Sequence, residues 1–126
     1  MVNENAIGNE VLKSAMKVHT ALGPGLLESV YELCLVHELL KGGLKAERQV
    51  ALPVRYGGLE IDGGFRVDML VGGLVIVEIK AVEKLMPVHK SQLLTYLRLS
   101  GCKLGYLLNF NVSHMRDGIK RVVNGL

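Results

Sequence analysis

Between residues 5 and 22 the apolar positions Ile7, Val11, Ala15, Val18 and Leu22 recur every three or four residues, as on one face of a helix. Gly23-Pro24-Gly25 interrupts the pattern. A second helix is expected from Pro24 to about Lys41, because proline suits a first helical position and Gly42-Gly43 ends the run. Its expected buried stripe is Leu26, Val30, Leu33, His37 and Leu40, with His37 a core histidine whose ring finds a partner.

From Gln49 the period changes to two, with Val50, Leu52 and Val54 alternating with Gln49, Ala51 and Pro53. Pro53 predicts an edge strand, since proline cannot donate to a ladder. Tyr56-Gly57-Gly58 reads as a turn and Asp62-Gly63-Gly64 as another turn or a bulge. Strands are expected at 65–71 and 74–81, joined through Gly72-Gly73. The near-continuous apolar run of the second implies burial on both faces. Pro87 opens a helix to about Ser100, a strand follows at 103–109, and a short helix is expected from Ser113 onward. Strands followed by a crossover helix and another strand predict an α/β fold, a mixed central sheet flanked by helices.

Length and composition narrow the class. The 126 residues suit a single domain over 1–126, and 49% hydrophobic with 21% charged residues excludes a disordered chain. The first ten residues include Glu4 and Glu10 and no basic residue, unlike a signal peptide. The apolar stretch 67–79 is broken by Asp68 and Glu78 and is too short to span a bilayer. Cys34 and Cys102 stand far apart with no CxxC pair, which argues against a disulfide framework or structural zinc. The expectation is a cytoplasmic chain with no membrane partner. Net charge is +3, but residues 1–79 hold 7 basic and 10 acidic side chains while residues 80–126 hold 8 basic and 2 acidic. A basic half favours a polyphosphate ligand.

The candidate chemistry lies in the two strands. Glu78 and Lys80 are two apart, so they share a strand face. Charges in so apolar a run need a partner or a metal, and a half-buried ion pair would satisfy them. Asp68, ten residues earlier on the preceding strand, adds a second carboxylate; two carboxylates at one spot make a hard oxygen site for Mg²⁺ or Mn²⁺. Parity decides whether they meet. A two-residue loop would pair Asp68 with Val77 and turn it away from Glu78, whereas a bulge or an odd-length loop, such as a three-residue connection of Gly72, Gly73 and Leu74, puts Asp68 beside Glu78. The second arrangement is the expectation.

Asp68 followed by Glu78-Ile79-Lys80 resembles the signature of the PD-(D/E)XK nucleases, with Val67 in place of the usual proline. Gln92-Leu93-Leu94-Thr95-Tyr96 resembles the QxxxY motif of one branch of that superfamily, and Gln92 and Tyr96 share a helix face at i, i+4. Gly25-Leu26-Leu27-Glu28-Ser29-Val30-Tyr31 resembles the motif that names the GxxExxY family of the same superfold. The resemblance implies a restriction-endonuclease-like core and metal-dependent hydrolysis of nucleic-acid phosphodiesters, with DNA the expected substrate. Asp68, Glu78 and the carbonyl of Ile79 would hold Mg²⁺ or Mn²⁺, with Glu28 a further ligand. Lys80 and Gln92 would serve the reaction at the phosphate, and Tyr96, Lys84 and Lys90 would contact substrate, with Arg98 and Lys103 along the bound strand. Tyr31 would pack near the site, and His89 could face it.

Two rivals remain at this stage. One is a catalytically silent nucleic-acid-binding or assembly module of the same fold. The other is a hydrolase of small phosphoesters. So small a chain would select substrate through a homodimer, a protein partner, or recognition of shape.

Overall fold

The computed structural model describes residues 3–126. The elements run α1 (Glu4–Leu22), α2 (Glu28–Lys41), β1 (Ala46–Tyr56), β2 (Leu59–Val71), β3 (Val75–Lys80), α3 (Pro87–Ser100), β4 (Leu104–Asn109), a 3₁₀ turn (Met115–Gly118) and β5 (Ile119–Val123). One five-stranded sheet has the order β1-β2-β3-β4-β5. Neighbours are antiparallel except β3 and β4, which run parallel because α3 carries the chain back between them. The fold is thus α/β, a mixed sheet between helices. Among the described residues no helix is long and apolar enough to cross a membrane.

Two apolar clusters hold the layers together. On one face Ile7, Val11, Ala15 and Val18 of α1 and Tyr31, Leu35 and Leu39 of α2 pack on Val75, Val77 and Ile79 of β3. On the other, Leu93 and Leu97 of α3 pack on Val67, Ile76 and Leu107. β3 is buried throughout except at Lys80, as its apolar run implied. Pro53 lies in the edge strand β1, where the pairing slips between Leu52 and Val54; Asp62-Gly63-Gly64 is the bulge that faces this slip.

Three expectations need correction. The second helix begins at Glu28 rather than Pro24. Gly23 (φ 71°) and Gly25 (φ 100°) hold the preceding segment as a loop, and Leu27 is the N-cap. Its buried face is Tyr31, Glu32, Leu35 and Leu39, while Leu26, Leu33 and Leu40 are 40%, 51% and 53% exposed and His37 lies outside. Both stripes have helical spacing, and the polar partners of Tyr31 and Glu32 decide which one turns inward. The core histidine with a partner is instead His19, whose Nε2 lies 2.8 Å from the carbonyl of Val112. The end of the chain is the third. Only Met115–Gly118 is helical, and Ile119–Val123 is a fifth strand whose residues pair with Leu104–Leu108 of β4.

Candidate metal and phosphodiester site

The β2–β3 hairpin pairs Val71 with Val75, Leu70 with Ile76 and Met69 with Val77, so Gly72, Gly73 and Leu74 form the three-residue connection that parity required. The next residues along, Asp68 and Glu78, face each other where the strands part. There carboxylates replace the backbone ladder. The Asp68 N–H donates to Glu78 Oε2 at 2.7 Å, and the Ile79 N–H donates to Asp68 Oδ2 at 2.8 Å.

Beyond this point one edge of β3 has no strand beside it. The Lys80 carbonyl accepts from the Phe110 N–H at 3.0 Å, on the β4 side. The N–H and C=O of Ile79 and the N–H of Ala81 therefore point to the opposite, opened edge, since peptide groups alternate along a strand. Asp68 takes the Ile79 N–H, and Glu28, the first residue of α2, takes the Ala81 N–H at 3.0 Å. Asp68, Glu28 and the Ile79 backbone consequently line one open cleft of about 640 Å³. Tyr31 anchors the loop that precedes Glu28. Its hydroxyl donates to the Gly23 carbonyl at 2.6 Å and accepts the Leu26 N–H at 3.1 Å, while its ring stacks on Phe110 at 4.5 Å. The loop that delivers Glu28 is thereby pinned to the core.

Burial first, and then the neighbouring Asp68 charge, push the Glu78 carboxyl up to about 8 against the opposing pull of the Asp68 N–H and Lys80. Each carboxylate commits one oxygen to a backbone N–H. Among the described residues no buried side-chain oxygen lacks a partner, so the second oxygens of Asp68 and Glu78 reach solvent. Two adjacent carboxylates with free oxygens and mutual repulsion suit a divalent cation with oxygen ligands. Among the described residues no three His, Cys, Asp or Glu side chains come together as a group that could hold a metal ion, so the side-chain donors gathered here are the pair Asp68 and Glu78.

Lys80 shares the Glu78 strand, is half-buried and forms no ion pair among the described residues. From α3, Tyr96 stacks on Phe65 at 4.9 Å, and desolvation followed by the charges of Glu78 and Asp68 raises its hydroxyl pKa. Gln92, one turn earlier on the same helix face, is exposed. Lys84 and Lys90 are exposed and border a separate hollow floored by Leu85, Pro87 and Leu107. His89 is occupied elsewhere: its Nδ1 accepts the Met86 N–H at 2.9 Å, closing the start of α3.

A family model described as the PD-(D/E)XK nuclease superfamily matches residues 5–122, a span that includes every element of the site. The chain belongs to the PD-(D/E)XK nuclease superfamily. Among solved structures, the crystal structure of SSO0001 is similar over 94% of this chain and 59% of that one, with 24% identity and a TM-score of 0.54. This likeness shows a shared fold, and the present chain spans little more than half the length of that one. No curated protein matches the chain.

Several residues around this PD-(D/E)XK centre escape a sequence reading. Buried Glu32 binds Arg48 and Gln49, and buried Asn109 ties the chain after Lys80 to β4 by accepting the Val82 N–H at 3.1 Å and donating to the Val82 carbonyl at 2.9 Å. One signal did exist. Glu32 follows Glu28 by four residues and therefore shares its helix face. Nothing local to Arg48 or Asn109 marks either as a partner.

Proposed function

We propose that this PD-(D/E)XK protein is a divalent-metal-dependent nuclease that hydrolyses phosphodiester bonds of DNA. One observation carries the reading: Asp68 and Glu78 face each other at the opened end of the β2–β3 hairpin, with Lys80 on the same strand as Glu78. In this reading Asp68, Glu78 and the Ile79 carbonyl hold Mg²⁺ or Mn²⁺, and Glu28 adds to the shell from the Ala81 edge. When bound, such an ion lowers the pKa of a water and offsets charge on the phosphate. To hold the ion Glu78 would be ionised, its carboxyl proton released to solvent. The Lys80 ammonium orients the attacking water and steadies charge on the non-bridging oxygens. Gln92 and Tyr96 meet the scissile phosphate and its sugar from α3, and Lys84 and Lys90 contact the strand beyond. The run Gly25 to Tyr31 supports placing the chain in the GxxExxY group, with Tyr31 positioning Glu28. The free thiols of Cys34 and Cys102 suit a reducing, cytoplasmic setting.

The test is cleavage of labelled single-stranded, duplex and flap DNA with Mg²⁺ or Mn²⁺, with and without EDTA. Metal-dependent cleavage that Lys80→Met lowers by about 10²-fold or more is expected. A second reading draws on the network itself, in which Asp68, Glu78 and Glu28 each already accept a backbone N–H. In a silent binding module these carboxylates would be structural. DNA binding that survives Asp68→Ala, with no cleavage by wild type, would favour that reading. Release of phosphate from nucleotides with DNA left intact would favour a small-phosphoester hydrolase.

A further inference from the structure

The cleft that contains Asp68, Glu28 and the Ile79 backbone has a second wall that the reaction above does not use, formed by Glu32, Arg48 and Gln49. Glu32 is only 5% exposed. Its Oε2 accepts from Arg48 Nε at 3.0 Å and Nη2 at 2.7 Å, and its Oε1 accepts from Gln49 Nε2 at 2.8 Å. The guanidinium is thus fixed from behind. Its Nη1 takes no part in the clamp, and the Arg48 side chain remains 35% exposed. Among the described residues Arg48 is the one basic side chain lining the cleft, against Glu28, Glu32 and Asp68.

The backbone marks the same place. Pairing of Arg48 with Met69 and Val50 with Val67 sets Gln49 across from Asp68, and Gln49 has φ 52°. A left-handed conformation costs a residue with a Cβ on the order of 1–2 kcal/mol. Such strain persists where surrounding contacts over-determine it, and it clusters at functional sites. The sheet also changes face here. Phe65 and Val67 pack on the α3 side, whereas Met69 and Val71 pack on the α1–α2 side.

We propose that Arg48, held by Glu32 and Gln49, is a subsite for a non-scissile phosphate of the nucleic-acid strand. The proposal rests on the nuclease reading and deepens it. A guanidinium whose orientation is already set loses little freedom on meeting a phosphate, and its planar fork matches that group. Arg48 stands on β1, beside the strand that carries Asp68 and paired with the next residue, Met69, and both side chains line the same cleft. A phosphate captured there neighbours the one at the carboxylates and fixes the register of the strand on the site.

The experiment is fluorescence anisotropy of labelled duplex and single-stranded DNA titrated with protein over a range of NaCl, in EDTA so that nothing is cut. Glu32→Gln with Arg48→Gln leaves net charge unchanged and removes the clamp. Its slope of log affinity against log salt is expected to fall by one phosphate contact, about 0.9 on duplex or about 0.7 on single strands. The exposed pair Arg55–Glu60 on the same hairpin provides the matched control, and Arg55→Gln with Glu60→Gln should leave the slope unaltered. Arg48→Lys keeps the charge without the fork, which covers loss of folding in the double variant, and should weaken binding severalfold. Undiminished slope in the folded double variant, or undiminished affinity in Arg48→Lys, overturns the subsite alone. Absence of DNA binding by wild type at low salt overturns the subsite and the nuclease reading together.

Discussion

Asp68 and Glu78 hold each other's strands: the Asp68 backbone donates to the Glu78 carboxylate at 2.7 Å, and the residue after Glu78 donates to the Asp68 carboxylate at 2.8 Å. The same carboxylates that close the end of the hairpin supply the candidate metal ligands, through their other oxygens. Structure and chemistry are therefore coupled at this pair, and changes to either residue should be read on both.

The raised pKa of Glu78 gives the metal-free protein a pH signature. Because burial and then Asp68 push the folded-state value from 4.5 to about 8, the native state binds more protons than the unfolded chain between those values. That stabilisation is complete below pH 4.5 and is lost as pH rises through 8. Chemical denaturation at pH 5 and pH 9 should show a loss on the order of a few kcal/mol in wild type that Glu78→Gln removes. Equal pH dependence in the two proteins would remove the electrostatic account of the pair.

Tyr31→Phe keeps the stack on Phe110 but leaves the Gly23 carbonyl and Leu26 N–H without their partner. A loss of roughly 1–3 kcal/mol is expected from urea unfolding. If the hydroxyl also positions Glu28, cleavage by Tyr31→Phe and by Glu28→Gln should fall without additivity in the double variant.

The inward face of α2 can be checked by a pair of truncations. Leu35→Ala, at a fully buried position, should cost about 2–5 kcal/mol. Leu33→Ala, 51% exposed, should stay within about 0.5 kcal/mol. Comparable losses at both positions would mean that the outer stripe is covered.

How much of this was legible in the sequence depended on whether the deciding contacts were local. Parity along 68–78 is a local count, and the need for Asp68 to meet Glu78 singled out the three-residue Gly72-Gly73-Leu74 connection over a two-residue turn. Pro53 marked the sheet edge for the same reason. The face of α2 was not legible, because Val30, Leu33 and Leu40 compete with Tyr31, Leu35 and Leu39 at equally good spacing. The choice between them is made by Gly23, Arg48 and Gln49, all outside the helix. β5 was missed because Ile119–Val123 has a single buried residue and exposed Lys120 and Arg121; its strand character comes from pairing with β4. Arg48 became part of the candidate site only through register with Met69.

The most direct measurement is calorimetric titration of Mn²⁺ into wild type and into Asp68→Asn with Glu78→Gln, each bound to a non-cleavable DNA strand at pH 8.5, where Glu78 is mostly ionised. The account predicts saturable binding by wild type that disappears in the double variant while DNA binding persists. Equal Mn²⁺ binding by both proteins, or none by wild type, would contradict it.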